Sequence, residues 1–189
     1  MTRIQLWQGD ICDLEVDAIV TAANPSLWMS TGVSSAIKLA GGDEIEFAAV
    51  RQAPALIGDA VVTPAGRLAA RLVIHAVSLD RDRRTSAAAI EGAIRSTFAR
   101  AREHGVTSIA FPALGTGVDN FPIEEAARIS VATVRAELAR SPQVASVVFA
   151  VRGQAPLLAL QAALNKPVGL PIDPSAQQVS RPPQPGVRV

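Results

Sequence analysis

The sequence contains no tyrosine and one cysteine, Cys12, and aromatic residues fill only 4% of its 189 positions. A single thiol excludes an intramolecular disulfide and any zinc site built on a cysteine cluster. The two histidines, His75 and His104, are not spaced as a metal pair, so neither a metal nor a cofactor is expected. Charge of one sign is also missing. With 18 Lys+Arg against 17 Asp+Glu the formal net charge is +1, which gives no general electrostatic pull on nucleic acid or anionic membrane. No stretch approaches the roughly 20 apolar residues of a membrane span, and Met1 to Trp7 lack the apolar run of a signal peptide. The expectation is a soluble, cytoplasmic monomer with no membrane partner.

Aliphatic residues, by contrast, are plentiful: 49% of the chain is hydrophobic, enough for a conventional core. Strand and helix patterns alternate along it. Residues 3–8 read as an edge strand and 16–22 as a largely buried one. Val33, Ala36, Ile37 and Ala40 follow at helical spacing, stopped by Gly41-Gly42. A short helix is expected over 43–51, strands over 60–63 and 72–77, and a helix along the stripe Ile90, Ala93/Ile94, Thr97/Phe98 and Ala101. Then come a strand at 108–111, a helix opened by Pro122, a strand at 144–151 and a helix at 154–164. Near-continuous apolar strands separated by helices predict a three-layer α/β/α domain with a mixed, mostly parallel sheet. It should span 1–166. From Pro167 the last 23 residues hold six of the 13 prolines without periodicity and read as a flexible tail, 167–189.

In such sheets ligands sit beyond the carboxyl ends of the parallel strands. Two loops there have unusual composition: Asn24 to Gly32, and Pro112 to Phe121. Gly115 and Gly117 let the second loop turn tightly, and its amides beside a helix N-terminus suit phosphate or pyrophosphate. Gly32 before Val33 offers an opposing example. Neither common nucleotide motif fits, since Asn120 stands where a dinucleotide fingerprint needs its third glycine, and no Gly-Lys-Ser/Thr follows a glycine-rich loop.

Five blocks in register resemble the macro domain family over about residues 3–165: Gly9-Asp10-Ile11, Val16 to Asn24, Gly32 to Ile37, Val73 to Val77, and Ser108 to Val118. The resemblance implies binding of ADP-ribose, and in some members hydrolysis of ADP-ribose esters or O-acetyl-ADP-ribose. It gives Asp10 the role of accepting a hydrogen bond from the adenine amino group, with Ile11 packed beside it. Asn24 would bond the distal ribose; it is also a natural turn residue before Pro25. Thr31, Gly32 and Val33, with Gly115, Thr116, Gly117 and Val118, would hold the two phosphates through backbone amides. Phe121 would line the distal ribose pocket, or act as a hydrophobic staple before Pro122.

The departures from the family pattern carry as much information. Hydrolytic members of one large branch have an aspartate ten positions after the asparagine; here that position is Ser34, whose hydroxyl cannot serve as a carboxylate base. Asp119 stands for a tyrosine over the distal ribose and Asn120 for a glycine. Arg152 stands where many members hold an aromatic ring against adenine, and its planar guanidinium can also stack on a base. His75 reads as a core histidine, Cys12 as an incidental thiol, and Trp28 as either a cap on the first loop or a shield for the sheet edge. These features favour binding of ADP-ribose, or of an ADP-ribosylated macromolecule, with weak or no hydrolysis. The alternatives are an active ADP-ribosyl or O-acetyl-ADP-ribose hydrolase, using a water oriented by the ligand's diphosphate and Asn24, with Asp119 as a candidate relocated carboxylate, and an RNA- or poly(ADP-ribose)-binding module.

Overall fold

A computed structural model describes residues 3–116 and 121–165. The Pro-rich segment expected from 167, and Gly117, Val118, Asp119 and Asn120 of the second loop, lie outside the described residues. The strands are β1 (Arg3–Gln8), β2 (Ala18–Ala23), β3 (Ala60–Pro64), β4 (Leu72–Val77), β5 (Ser108–Pro112) and β6 (Ser146–Val151), ordered β1-β6-β5-β2-β4-β3 in one sheet. Every pairing is parallel except β3 with β4. The helices are α1 (Gly32–Gly41), α2 (Asp43–Val50), α3 (Ala87–Glu103), α4 (Ile123–Arg140) and α5 (Gln154–Asn165).

Successive strand residues point to opposite faces, and the two faces carry separate cores. Val20, Ile74, Ile109 and Phe149 pack with Ile90, Ile94 and Phe98 of α3 and with Val131 and Val134 of α4. Ile19, Val73 and Ala110 face the other way, against Ile37 of α1 and Ile45 of α2. Helices on both sides give the three-layer α/β/α arrangement with a mixed, mostly parallel sheet. No described helix is long and apolar enough to cross a membrane.

β2 begins two residues later than the apolar run suggested, because Asp17 is taken by another task. Its carboxylate accepts from the Thr107 amide and hydroxyl (both 2.7 Å), the Ser108 amide (3.2 Å) and Arg71 Nε (3.1 Å). Burial raises its pKa, but the Thr107 and Arg71 hydrogen bonds outweigh it and hold the group at about 2. This carboxylate ties the amino ends of β2, β4 and β5 together, which brings their carboxyl ends level on the opposite edge.

His75 is fully buried in β4, with Nε2 3.0 Å from Thr63 Oγ1, as expected for a core histidine. Burial pushes its pKa down to about 4, against 6.5 for an ordinary histidine. Between those values the unfolded chain binds the extra proton. Its contribution to stability is therefore complete above pH 6.5 and is lost as the pH falls towards 4, by about 3 kcal/mol. Urea unfolding at pH 7.5 and 4.5 should show that loss, and the His75→Asn variant should show less of it; equal slopes would contradict this account of the buried ring.

Candidate ligand-binding cleft

A cleft of about 400 Å³ runs across the carboxyl edge of the sheet. Its lining follows the strand order: Gly9, Asp10 and Ile11 after β1, Arg152 after β6, Ala113, Gly115 and Thr116 after β5, Asn24 after β2, and Leu79 and Arg83 after β4. The amino end of α1 closes one side with Thr31, Gly32, Val33 and Ser34.

The β2–α1 loop is shaped by its own polar groups. Asn24 Oδ1 accepts from the Ser26 amide (3.0 Å) and hydroxyl (2.7 Å), so the turn role of this residue is real. Its side-chain nitrogen has no hydrogen bond among the described residues, and the residue lines the cleft. Leu27 adopts φ 61 and is buried together with Met29, which seats the loop on the sheet. One carboxylate holds it there. Glu46 of α2, 3% exposed, accepts from the Met29 amide at 2.7 Å and from Lys38 Nζ at 2.7 Å. Trp28, between two buried neighbours, is turned outward to line the cleft.

Helix α1 starts at Thr31 without a side-chain cap, and no acidic residue stands in its first turn. The Ser34 hydroxyl donates to the Thr31 carbonyl (2.7 Å) instead of facing a substrate. Among the described residues the Gly32, Val33 and Ser34 amides have no hydrogen-bond acceptor. They form the positive end of a helix dipole, aimed at a cavity. Gly32 sits at φ +62 with nothing within 4 Å of a notional Cβ, so the space above it is open. Across the cleft, Thr116 Oγ1 is bound to the Ala113 carbonyl (2.7 Å). Gly115 has φ +80, and a Cβ there would stand 2.5 Å from Ile90 Cδ1. Only glycine lets that turn sit on α3.

At the β1 end Asp10 caps a 3-10 turn over Ile11–Asp13, accepting from the Cys12 amide at 3.0 Å, while its other oxygen pairs with Arg152. The Cys12 amide, and then Arg152, hold the carboxyl below the usual range. Desolvation and the neighbouring Asp10 push the Cys12 thiol up to about 12, so it is no nucleophile at neutral pH. Arg152, though exposed, is thus tethered by Asp10 at the edge of the cleft.

The cleft gathers Asp10, Ile11, Asn24, Thr31, Gly32, Val33, Ser34, Gly115, Thr116 and Arg152. Phe121 is not among the lining residues; it packs on the core that includes Ala126 of α4, as a staple does. Gly117 to Asn120 fall outside the described residues. Sequence reading overlooked Glu46 and Arg83. Glu46 had a signal, an acid inside the otherwise apolar face Ile45 and Ala49; Arg83 had none. Among the described residues no group of three His, Cys, Asp or Glu could hold a metal ion.

Such an edge, with helix amides opposed to a glycine turn, defines an α/β/α domain whose cleft is built to receive an anionic ligand. The macro domain model matches residues 20–130, and the chain belongs to that family. An O-acetyl-ADP-ribose deacetylase of Salmonella typhimurium is 42% identical over 139 residues, 70% of this chain and 78% of that protein. An uncharacterized protein of Mycobacterium tuberculosis is 42% identical over 165 residues, 87% of this chain; the chain spans only 45% of that relative. The Trypanosoma brucei macrodomain in complex with ADP-ribose superposes with a TM-score of 0.79 at 26% identity, covering 85% of this chain and 68% of that one.

Removing the Glu46 carboxylate strands a buried amide. Glu46→Ala should cost about 2 kcal/mol in urea unfolding and speed hydrogen exchange at Met29. Unaltered Met29 exchange would mean that something else holds the loop.

Proposed function

We propose that the cleft binds ADP-ribose, free or attached to a macromolecule, and turns it over weakly or not at all. The main support is the α1 end: three amides without acceptors among the described residues, no acid in the first turn, and open space above Gly32. A diphosphate fits such a site because it brings two negative groups to a dipole that nothing else on the described chain neutralises. In this reading the Gly32, Val33 and Ser34 amides beside Thr31 take one phosphate and the Gly115–Val118 turn takes the other. The adenine lies at the β1 end, over Ile11, where its amino group donates to Asp10 and the tethered guanidinium of Arg152 stacks on the ring. Asn24 donates its amide to the distal ribose, for which Asp119 and Asn120 are the proposed far-side contacts. The domain ends near residue 166 and the Pro-rich segment is dispensable for the site.

Hydrolysis is the second reading, favoured by the likeness to the Salmonella deacetylase. It requires a group that takes a proton from water near the distal ribose. Among the described lining residues Asp10 is the one carboxylate, and it stands at the opposite end. Ser34 spends its proton on the Thr31 carbonyl. A missing general base costs about 10²–10⁴ in rate, which among the described residues leaves Asn24, with the diphosphate, to orient a water.

Calorimetry with ADP-ribose, and with AMP and ADP as controls, tests the binding. Selective binding of ADP-ribose is expected, and Asp10→Ala should weaken it by about 2 kcal/mol, roughly thirty-fold. Unchanged affinity would remove the adenine from the β1 end. For turnover, Ser34→Asp restores a carboxylate in the first turn of α1. Release of acetate from O-acetyl-ADP-ribose should rise above the parent's; no rise would mean that more than one group is missing.

A further inference from the structure

We infer that Arg83 is a specificity-determining residue, a cationic subsite at the β4 end of the cleft that selects ADP-ribosylated peptides with a carboxylate side chain next to the modified residue. The inference rests on the proposed ADP-ribose site. The order of strand ends fixes the geography. Asp10 and Arg152 stand at the β1–β6 end, the α1 amides lie between, and Arg83 comes after β4, on the far side of Asn24. With the base at one end and the diphosphate in the middle, the β4 end meets whatever the terminal ribose is attached to.

Arg83 is held in that position by its backbone. The Asp80 amide donates to the Arg84 carbonyl (2.9 Å), the Arg83 amide to the Asp80 carbonyl (3.1 Å), and the Arg84 amide to Asp80 Oδ1 (2.8 Å). Thr85 Oγ1 ties the loop back to the Ser78 carbonyl (2.6 Å). Within this frame Arg83 adopts φ 63, a conformation a non-glycine residue rarely keeps without a reason. Arg83 is among the residues that line the cleft, it is exposed, and no described carboxylate pairs with it.

A guanidinium with no carboxylate partner among the described residues, at a cleft exit, suits a carboxylate, which it binds through two parallel hydrogen bonds. A peptide fits better than a nucleic acid. The loop reads Asp80-Arg81-Asp82-Arg83-Arg84, so exposed Asp82 beside Arg83 repels a dense run of phosphates, and the net charge of +1 draws no polyanion.

The test uses two synthetic peptides, each carrying one ADP-ribosyl group on a serine, flanked by glutamate in one and glutamine in the other. The unaltered protein should hold the glutamate peptide roughly three- to five-fold tighter, with the difference shrinking at high salt. Arg83→Gln should bring the ratio to about one. So should Arg83→Gly, which also relieves the positive φ and so preserves the loop. Equal affinities in the unaltered protein, or a preference that survives both variants, would overturn the subsite. Tighter binding of an ADP-ribosylated oligonucleotide than of either peptide would reassign the exit to nucleic acid and overturn it too. Failure to bind free ADP-ribose would sink the underlying reading of the cleft, and the subsite with it.

Discussion

A single buried carboxylate holds the first loop in shape. Glu46 on α2 takes the Met29 amide and the Lys38 ammonium, and so joins the β2–α1 loop to both helices on that face. Without it the loop has a buried amide with no acceptor, a cost of the same order as a good hydrogen bond to a charge. With it, Leu27 and Met29 stay buried, Trp28 turns outward, and α1 starts where its amides open onto the cleft. The proposed anion site is thus a consequence of packing on the α1–α2 face as much as of the loop's own residues.

Replacement of an acid by Ser34 is usually read as a loss of chemistry, but it also changes electrostatics. In the third position of α1 an aspartate would stand beside any phosphate taken by that helix and offset its dipole. A serine that donates back to Thr31 leaves the full positive end exposed. In the function proposed here the same difference would weaken turnover and strengthen the hold on a diphosphate, both in the direction of a binding role. The Asp10–Arg152 pair fits this picture. Arg152 gives the β1 end of the cleft a planar cation, and the Asp10 carboxyl beside it is held below its usual range, first by the Cys12 amide.

Most of the fold was legible because its signals are repetitive. The apolar runs of β2, β4 and β5 and the α3 stripe from Ile90 to Ala101 are periodic over several residues, so each element was evident with its type and near its ends. Strand starts shifted where side chains have other tasks, as at Asp17. Of the candidate site, the sheet brings four such residues to one edge: Gly32 and Gly115 were legible from the loops at the strand ends, and Asp10 and Asn24 from the resemblance to the macro domain family. Phe121 was not: an aromatic before a helix-opening proline satisfies the staple and the pocket equally in one dimension, and only packing against the α3–α4 core separates them. Arg83 was illegible for a different reason. Its direction depends on a loop closed by Asp80 and Thr85, and no local periodicity encodes where such a loop points.

The central claim is that the unpartnered amides of α1 receive the diphosphate. Titration of ADP-ribose into ¹⁵N-labelled protein, followed amide by amide, tests it most directly. The account expects the largest shifts at Gly32, Val33 and Ser34, with Ile11 moving only for ligands that carry adenine. Saturable binding that leaves those three amides unmoved would contradict it and put the phosphates elsewhere on the edge.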